Sequence, residues 1–337
     1  MNYSDNPVRT DRSTASPVIV FDQVAKKYGT LQVLSSLSLR VYQGEVYGFL
    51  GRNGAGKSTA IKMMLGITGL TSGSIELFGQ PVSGNMVEAR QRIGYVAQEQ
   101  HFYPWMSPKQ LSRFVRDLYP RWEQRRYEML LDLFELPMKR KIGHFSGGMK
   151  AKLALCMAVA TRPDCLILDE PTAGMDPVAR REFLDLVSKE AWQTESTVFF
   201  STHLIDDIES IADRIGIIES GRTIYQGGLD TLAHHIATYT INEDQYQRGM
   251  LPGQFVRDDA WILQQGTRNG RYFMVYEFTH GAPAQPLLDN GWQEERMTLE
   301  DVFIAMVARS EIDKSATAKS NTPNVAITSA APHPEIR

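Results

Sequence analysis

GRNGAGKST, residues 51–59, places three glycines, one lysine and two hydroxyl side chains in nine positions. It follows the largely apolar run Glu45-Val46-Tyr47-Gly48-Phe49-Leu50 and leads into Ser58–Leu65, where the spacing predicts a helix. The stretch fits G-x-x-x-x-G-K-[ST] as Gly51, Gly56, Lys57 and Ser58, in the strand–loop–helix context that this pattern requires. With so little side chain, the backbone N–H groups from Gly51 through Asn53, Gly54, Ala55 and Gly56 can point inward as an anion nest. The helix start at Lys57, Ser58 and Thr59 adds the positive end of its dipole. A phosphate chain is the natural guest: Lys57 would reach its β- and γ-phosphates and the Ser58 hydroxyl would ligate Mg²⁺.

A chain of 337 residues has room for one large domain and a small appendage. Its apolar fraction of 42%, charged fraction of 22% and formal charge of −3 argue against a nucleic-acid binder, which would be strongly basic. Cys156 and Cys165 both lie in apolar runs and read as small core residues in a reducing compartment, which points to the cytosol. No run approaches the ~20 apolar residues that span a bilayer, and the start has no secretion signal, so a membrane role requires a partner. Residues 1–16 and 311–337 are polar or rich in Ala, Ser, Thr and Pro, and are expected to be disordered tails.

Between these ends the order of elements indicates an α/β fold. Ser107-Pro108-Lys109-Gln110 is a capping box for a helix with Leu111, Phe114, Val115 and Leu118 on one face. Amphipathic stretches at Tyr127–Leu136 and Met149–Ala160 complete a helical insert. Strands at Cys165–Leu168 and Thr197–Ser201 then alternate with helices at Pro177–Lys189 and Leu204–Ala212, implying a mostly parallel sheet. Beyond Gly228, short strands such as Arg271–Phe278 and a last helix at Thr298–Val307 suggest a small α+β appendage.

The run Cys165-Leu166-Ile167-Leu168 delivers two carboxylates, Asp169 and Glu170, to the strand end where open α/β sheets bind ligands. One acid suits the surroundings of Mg²⁺ and the next can take a proton from an attacking water. Alone, the pair equally suits a solvated strand end; beside the glycine loop it reads as chemistry.

Phe145-Ser146-Gly147-Gly148-Met149 resembles the signature motif of ATP-binding cassette (ABC) ATPases, which usually ends in Gln. Gln98 follows Gly94-Tyr95-Val96-Ala97, Ala173-Gly174-Met175-Asp176 follows the carboxylates, and Ser201-Thr202-His203 closes the next strand. The ordered set is similar to that family's cassette over Val18–Gly228. The resemblance implies a P-loop NTPase over residues 17–228, with a RecA-like parallel sheet, an antiparallel β subdomain and a helical subdomain at about 99–160, followed by an accessory α+β domain at 229–310.

By the same resemblance, Gln98 contacts Mg²⁺ and the attacking water, Asp169 serves the metal, Glu170 is the general base, His203 holds the γ-phosphate and Tyr28 stacks on adenine. Ser146, Gly147 and Gly148 form a second anion-binding helix start. In this family it meets the nucleotide of a second copy in a head-to-tail dimer, so ATP joins the copies. Met149 leaves the backbone donors intact but removes whatever contact the glutamine makes.

Gln98 to Ser146 is too short for the coiled coils of chromosome-organising relatives, and one cassette does not match the paired cassettes of translation factors. A transporter ATPase remains, placed in the cytoplasm on the inner face of the membrane through a separate polytopic permease. His101-Phe102-Tyr103-Pro104-Trp105-Met106 is the candidate groove for that permease's cytoplasmic helix; the alternative is an anchor of the insert to its own domain. Leu299–Phe303 resembles a segment common in cassette subunits of ABC-2-type exporters. A regulatory ATP-gated module without transport is the alternative.

Overall fold

The computed structural model describes residues 16–83, 86–229, 231–232, 236–247, 260–268, 270–278, 285–289, 291–295 and 297–320. The chain forms two compact units, Met1–His235 and Ile236–Arg337.

The first unit is organised by strands too apolar to leave either face wet. β3 (Val46–Leu50), β7 (Cys165–Asp169) and β8 (Thr197–Thr202) are buried at every residue, as expected of central parallel strands covered on both sides. With β6 (Ile93–Val96) and β9 (Arg214–Glu219) they run parallel in the order β9-β3-β8-β7-β6. Register does the positioning. Leu50 lies opposite Thr202 and Asp169 opposite Ser201, so segments distant in sequence reach one sheet edge together. α1 (Lys57–Met64) leaves that edge directly after the glycine loop, and the short α2 (Val87–Gln91) precedes β6.

β1 (Pro17–Tyr28) pairs antiparallel with β2 (Leu31–Tyr42) and β4 (Ser72–Leu77), and β5 (Gln80–Pro81) closes that side. β10 (Arg222–Gly228) bridges β2 and β9, so the parallel and antiparallel parts form one ten-stranded sheet. Leu34, Phe49, Ala60, Ile61, Phe199 and Ile218 share the core beneath the glycine loop.

The insert holds α3 (Pro108–Val115), α4 (Gln124–Leu133) and α5 (Gly147–Ala160). Ser107 caps α3 with the expected reciprocal box, Gln110 N–H to Ser107 Oγ at 3.3 Å and Ser107 N–H to Gln110 Oε1 at 2.9 Å. The apolar stripe of this region is not core throughout. Leu111 is buried, but Phe114 and Leu118 are 57% and 62% exposed. α6 (Pro177–Thr194) outruns the expected Lys189, and Glu190 on its extension is buried as the partner of Arg126 from α4. α7 (Ile205–Ile211) follows β8.

The second unit is a four-stranded antiparallel sheet of Ile236–Asn242, Ala260–Arg268, Arg271–Phe278 and Gln293–Glu295. Its core is Tyr239, Ile241, Met274, Tyr276, Leu287 and Trp292. Two boundaries differ from the sequence reading. The division falls at His235/Ile236 rather than at 228/229, and the last helix spans Leu299–Ser320, past the expected tail start at 311. Its extension is rich in Ala, Lys and acidic residues and meets no proline before Pro323, so nothing local stops it. The tail expectations for residues 1–15 and 321–337 lie outside the described residues. Among the described residues, no helix is long and apolar enough to cross a membrane.

Candidate active site

The glycine loop is tight at Gly51 and Gly56, where its neighbours leave no room for side chains. Gly56 has φ +107°, and a Cβ there would fall 2.5 Å from Leu34 Cδ2; a Cβ on Gly51 would fall 2.7 Å from the Ile218 carbonyl oxygen. Lys57 is turned inward, its side chain only 3% exposed. Its Nζ donates to the carbonyls of Gly51 (2.8 Å) and Arg52 (3.2 Å) and pairs with Glu170 Oε1 at 3.0 Å. A buried ammonium needs such partners.

At the end of β7, across β8 from the strand that leads into the loop, Asp169 Oδ1 accepts from Ser58 Oγ at 3.0 Å and from Ser201 Oγ at 2.8 Å. Burial raises the Asp169 pKa; the Ser201 and Ser58 hydrogen bonds pull it down and the nearby Glu170 charge pushes it up, leaving it above the ordinary carboxylate value. Glu170 has a left-handed backbone, φ +43°, and its N–H is held by Ser201 Oγ at 3.0 Å and Ser201 O at 3.1 Å. Its Oε2 accepts from Gln98 Nε2 at 3.4 Å and from the Nδ1–H of His203 at 3.1 Å.

Six of the sequence-selected residues therefore converge: Lys57, Ser58, Gln98, Asp169, Glu170 and His203. Asn53, Gly54, Ala55 and Thr59 come with the loop and helix that carry Lys57. Tyr28 stands apart at the end of β1, 49% exposed, with Lys26 Nζ 4.6 Å from its ring centroid and its hydroxyl 3.5 Å from Thr68 Oγ1. Ser146 caps α5 through the Met149 N–H at 3.2 Å, so Met149 enters by its backbone whatever its side chain. Beside it, a Cβ on Gly147 or Gly148 would meet nothing within 4 Å, and this helix start has an open approach. Ser201 joins the site without a role that the sequence predicts; its one signal there is a hydroxyl directly before Thr202-His203 on the strand beside the carboxylates.

A glycine loop closed around a buried lysine, with paired carboxylates on the strand across β8, defines a P-loop nucleoside triphosphatase. The likeness to known proteins narrows the class. The chain belongs to the ABC transporter family, whose model matches residues 34–173. It is 35% identical over 311 residues to the bacitracin transport ATP-binding protein of Bacillus licheniformis, covering 88% of this chain and 99% of that one. It is 39% identical over 219 residues to the Nod factor export ATP-binding protein I of Burkholderia thailandensis, covering 64% and 72%. Among solved structures, the ATP-binding subunit of an ABC transporter superposes with a TM-score of 0.59 at 27% identity, covering 64% of this chain and 91% of that one. The protein is the ATP-binding and ATP-hydrolysing subunit of an ABC transporter.

Proposed function

We propose that this chain powers an export permease, a separate polytopic membrane protein, by pairing head to tail with a second copy around ATP and hydrolysing it. The observation that carries this reading is the carboxylate of Glu170, which gathers Lys57, Gln98 and His203 from three other segments. Lys57 takes the phosphates, and Glu170 accepts the proton of the attacking water. His203 keeps a fixed orientation because its Nδ1–H is bound to Glu170, leaving Nε2 for the γ-phosphate.

The donor set fits Mg²⁺: the Ser58 hydroxyl and Asp169 carboxylate are already in contact, hard oxygen donors of the kind this ion selects. Ser58, Gln98 and Asp169 would hold it, and it would supply neutralisation of phosphate charge. Tyr28, exposed beyond the loop, stacks on the adenine. The open N-terminus of α5 at Ser146, Gly147 and Gly148 covers the γ-phosphate bound to the other copy.

The permease docks on an exposed, largely aromatic patch. Tyr103, Trp105, Phe114 and Leu118 are 46–62% exposed, with Tyr103 packed against both Trp105 and Phe114 at ring-centroid distances of 5.1 and 6.2 Å. This loop is bonded to the segment before Ser146, through the Ile142 N–H to Met106 O at 2.8 Å and the Gly143 N–H to Pro104 O at 2.9 Å. A helix seated there therefore bears on the second anion site. Export is supported by the relatives named for bacitracin transport and Nod factor export, and the permease holds the chain at the inner face of the membrane.

Reconstitution tests this. Together with the membrane protein that co-purifies with the tagged chain, ATP turnover in vesicles should rise, and Trp105→Glu should abolish the rise while sparing turnover by the chain alone. Unstimulated turnover with every co-purifying membrane protein would count against it.

A further inference from the structure

We infer that Asp207 is a positioning residue for ATP hydrolysis, fixing Glu170 and His203 relative to one another without touching the nucleotide. The inference rests on the reading of Glu170 as general base.

Asp207 is the third residue of α7 and only 1% exposed. A carboxylate so placed needs strong partners, and three reach it from different segments. Thr172 Oγ1 donates to Oδ2 at 2.8 Å, Thr202 Oγ1 donates to the same oxygen at 3.0 Å, and Arg180 Nε donates to Oδ1 at 2.5 Å. Both threonines are themselves buried, at 3% and 2% exposure.

The partners' places in the chain give the arrangement its meaning. Thr172 lies two residues beyond Glu170, and Thr202 directly precedes His203. Arg180 sits in the first turns of α6, its N–H bonded to the carbonyl of the capping residue Asp176 at 2.9 Å. Thr202 is tied further: its Oγ1 accepts the Leu204 N–H at 3.0 Å and its carbonyl accepts the Gly51 N–H at 3.3 Å, which reaches the glycine loop. One carboxylate thus fastens the segment after the base, the residue before the histidine and the start of α6.

Glu170 gives such a tether something to do. Its left-handed backbone persists only where the surroundings over-determine it, and Thr172 anchors the turn that follows. A plain helix-dipole role does not need this burial. Asp206, in the same first turn of α7, can serve the dipole with a side chain 86% exposed.

The test uses the full-length chain, Asp207→Asn, and three readings: phosphate release under saturating Mg-ATP, ATP affinity and melting temperature. Asn keeps the shape but loses the charge facing Arg180 and one acceptor oxygen. The turnover number should fall about 10–100-fold, as when supporting groups around a reactive site are removed. ATP affinity should stay within about twofold, a split that places the loss in the transition state. Asp207→Glu should recover part of the rate, and in a Glu170→Gln background Asp207→Asn should lower the residual rate no further.

Normal turnover by Asp207→Asn, or turnover and affinity falling together with melting temperature, overturns the inference. Should Asp207→Asn not fold, Thr172→Val and Thr202→Val carry the same split, and normal turnover in both is equally fatal. Glu170→Gln measured alone separates the two ideas. Undiminished turnover there removes the base assignment, whereas undiminished turnover in Asp207→Asn removes only the positioning role.

Discussion

Glu170 combines a burdened backbone with a crowded carboxylate, a pattern that belongs at reactive sites rather than at plain strand ends. Glu170→Gln keeps the size of the side chain and one acceptor oxygen but cannot take a proton. Phosphate release should fall by roughly 10²–10⁴-fold, the usual worth of a general base, while equilibrium ATP binding persists. Asp169 supplies the pH dependence. Its pKa is raised in the fold by burial, so folding favours the protonated form more than the unfolded chain does, and the stability this contributes is lost as pH rises through the raised value. Mg²⁺ needs the ionised form. Its affinity should therefore strengthen as pH rises through a window above the ordinary Asp value of about 3.9, with a proton released on binding. Calorimetry of Mg-ATP binding in that window, in two buffers of different ionisation enthalpy, should show the release, and Asp169→Asn should abolish it.

Elements reveal what local sequence can carry. The glycine loop is legible because its chemistry is contiguous: bare backbone, one lysine and a helix start in nine positions. The capping box of α3 is legible for the same reason, and Ser107→Ala should cost about 1 kcal/mol, the usual price of a lost N-cap, seen as a lower melting temperature. The outward turn of Phe114 and Leu118 was not legible, since helical spacing groups apolar residues on a face without saying what covers it. Nor was the end of α6, where Glu190 is held by Arg126 from another helix. The Asp207 network escaped for a related reason: Thr172, Arg180 and Thr202 meet only once β7, α6, β8 and α7 are folded.

At the scale of the molecule, the two units have separate cores, with Phe49, Ile61 and Phe199 in one and Tyr239, Tyr276 and Trp292 in the other. All six converging site residues lie in the first. A chain ending at His235 should therefore hydrolyse Mg-ATP, as phosphate release would register, and its inactivity while folded would assign the second unit a part in catalysis. The pairing of copies is tested most directly by the mass of Glu170→Gln in solution with Mg-ATP. The account predicts twice the 38.0 kDa of one chain, reverting to a single chain when ATP is withdrawn or Ser146→Arg is added. ATP bound at Lys57 by a particle that keeps the mass of one chain, even beside its permease, would contradict it.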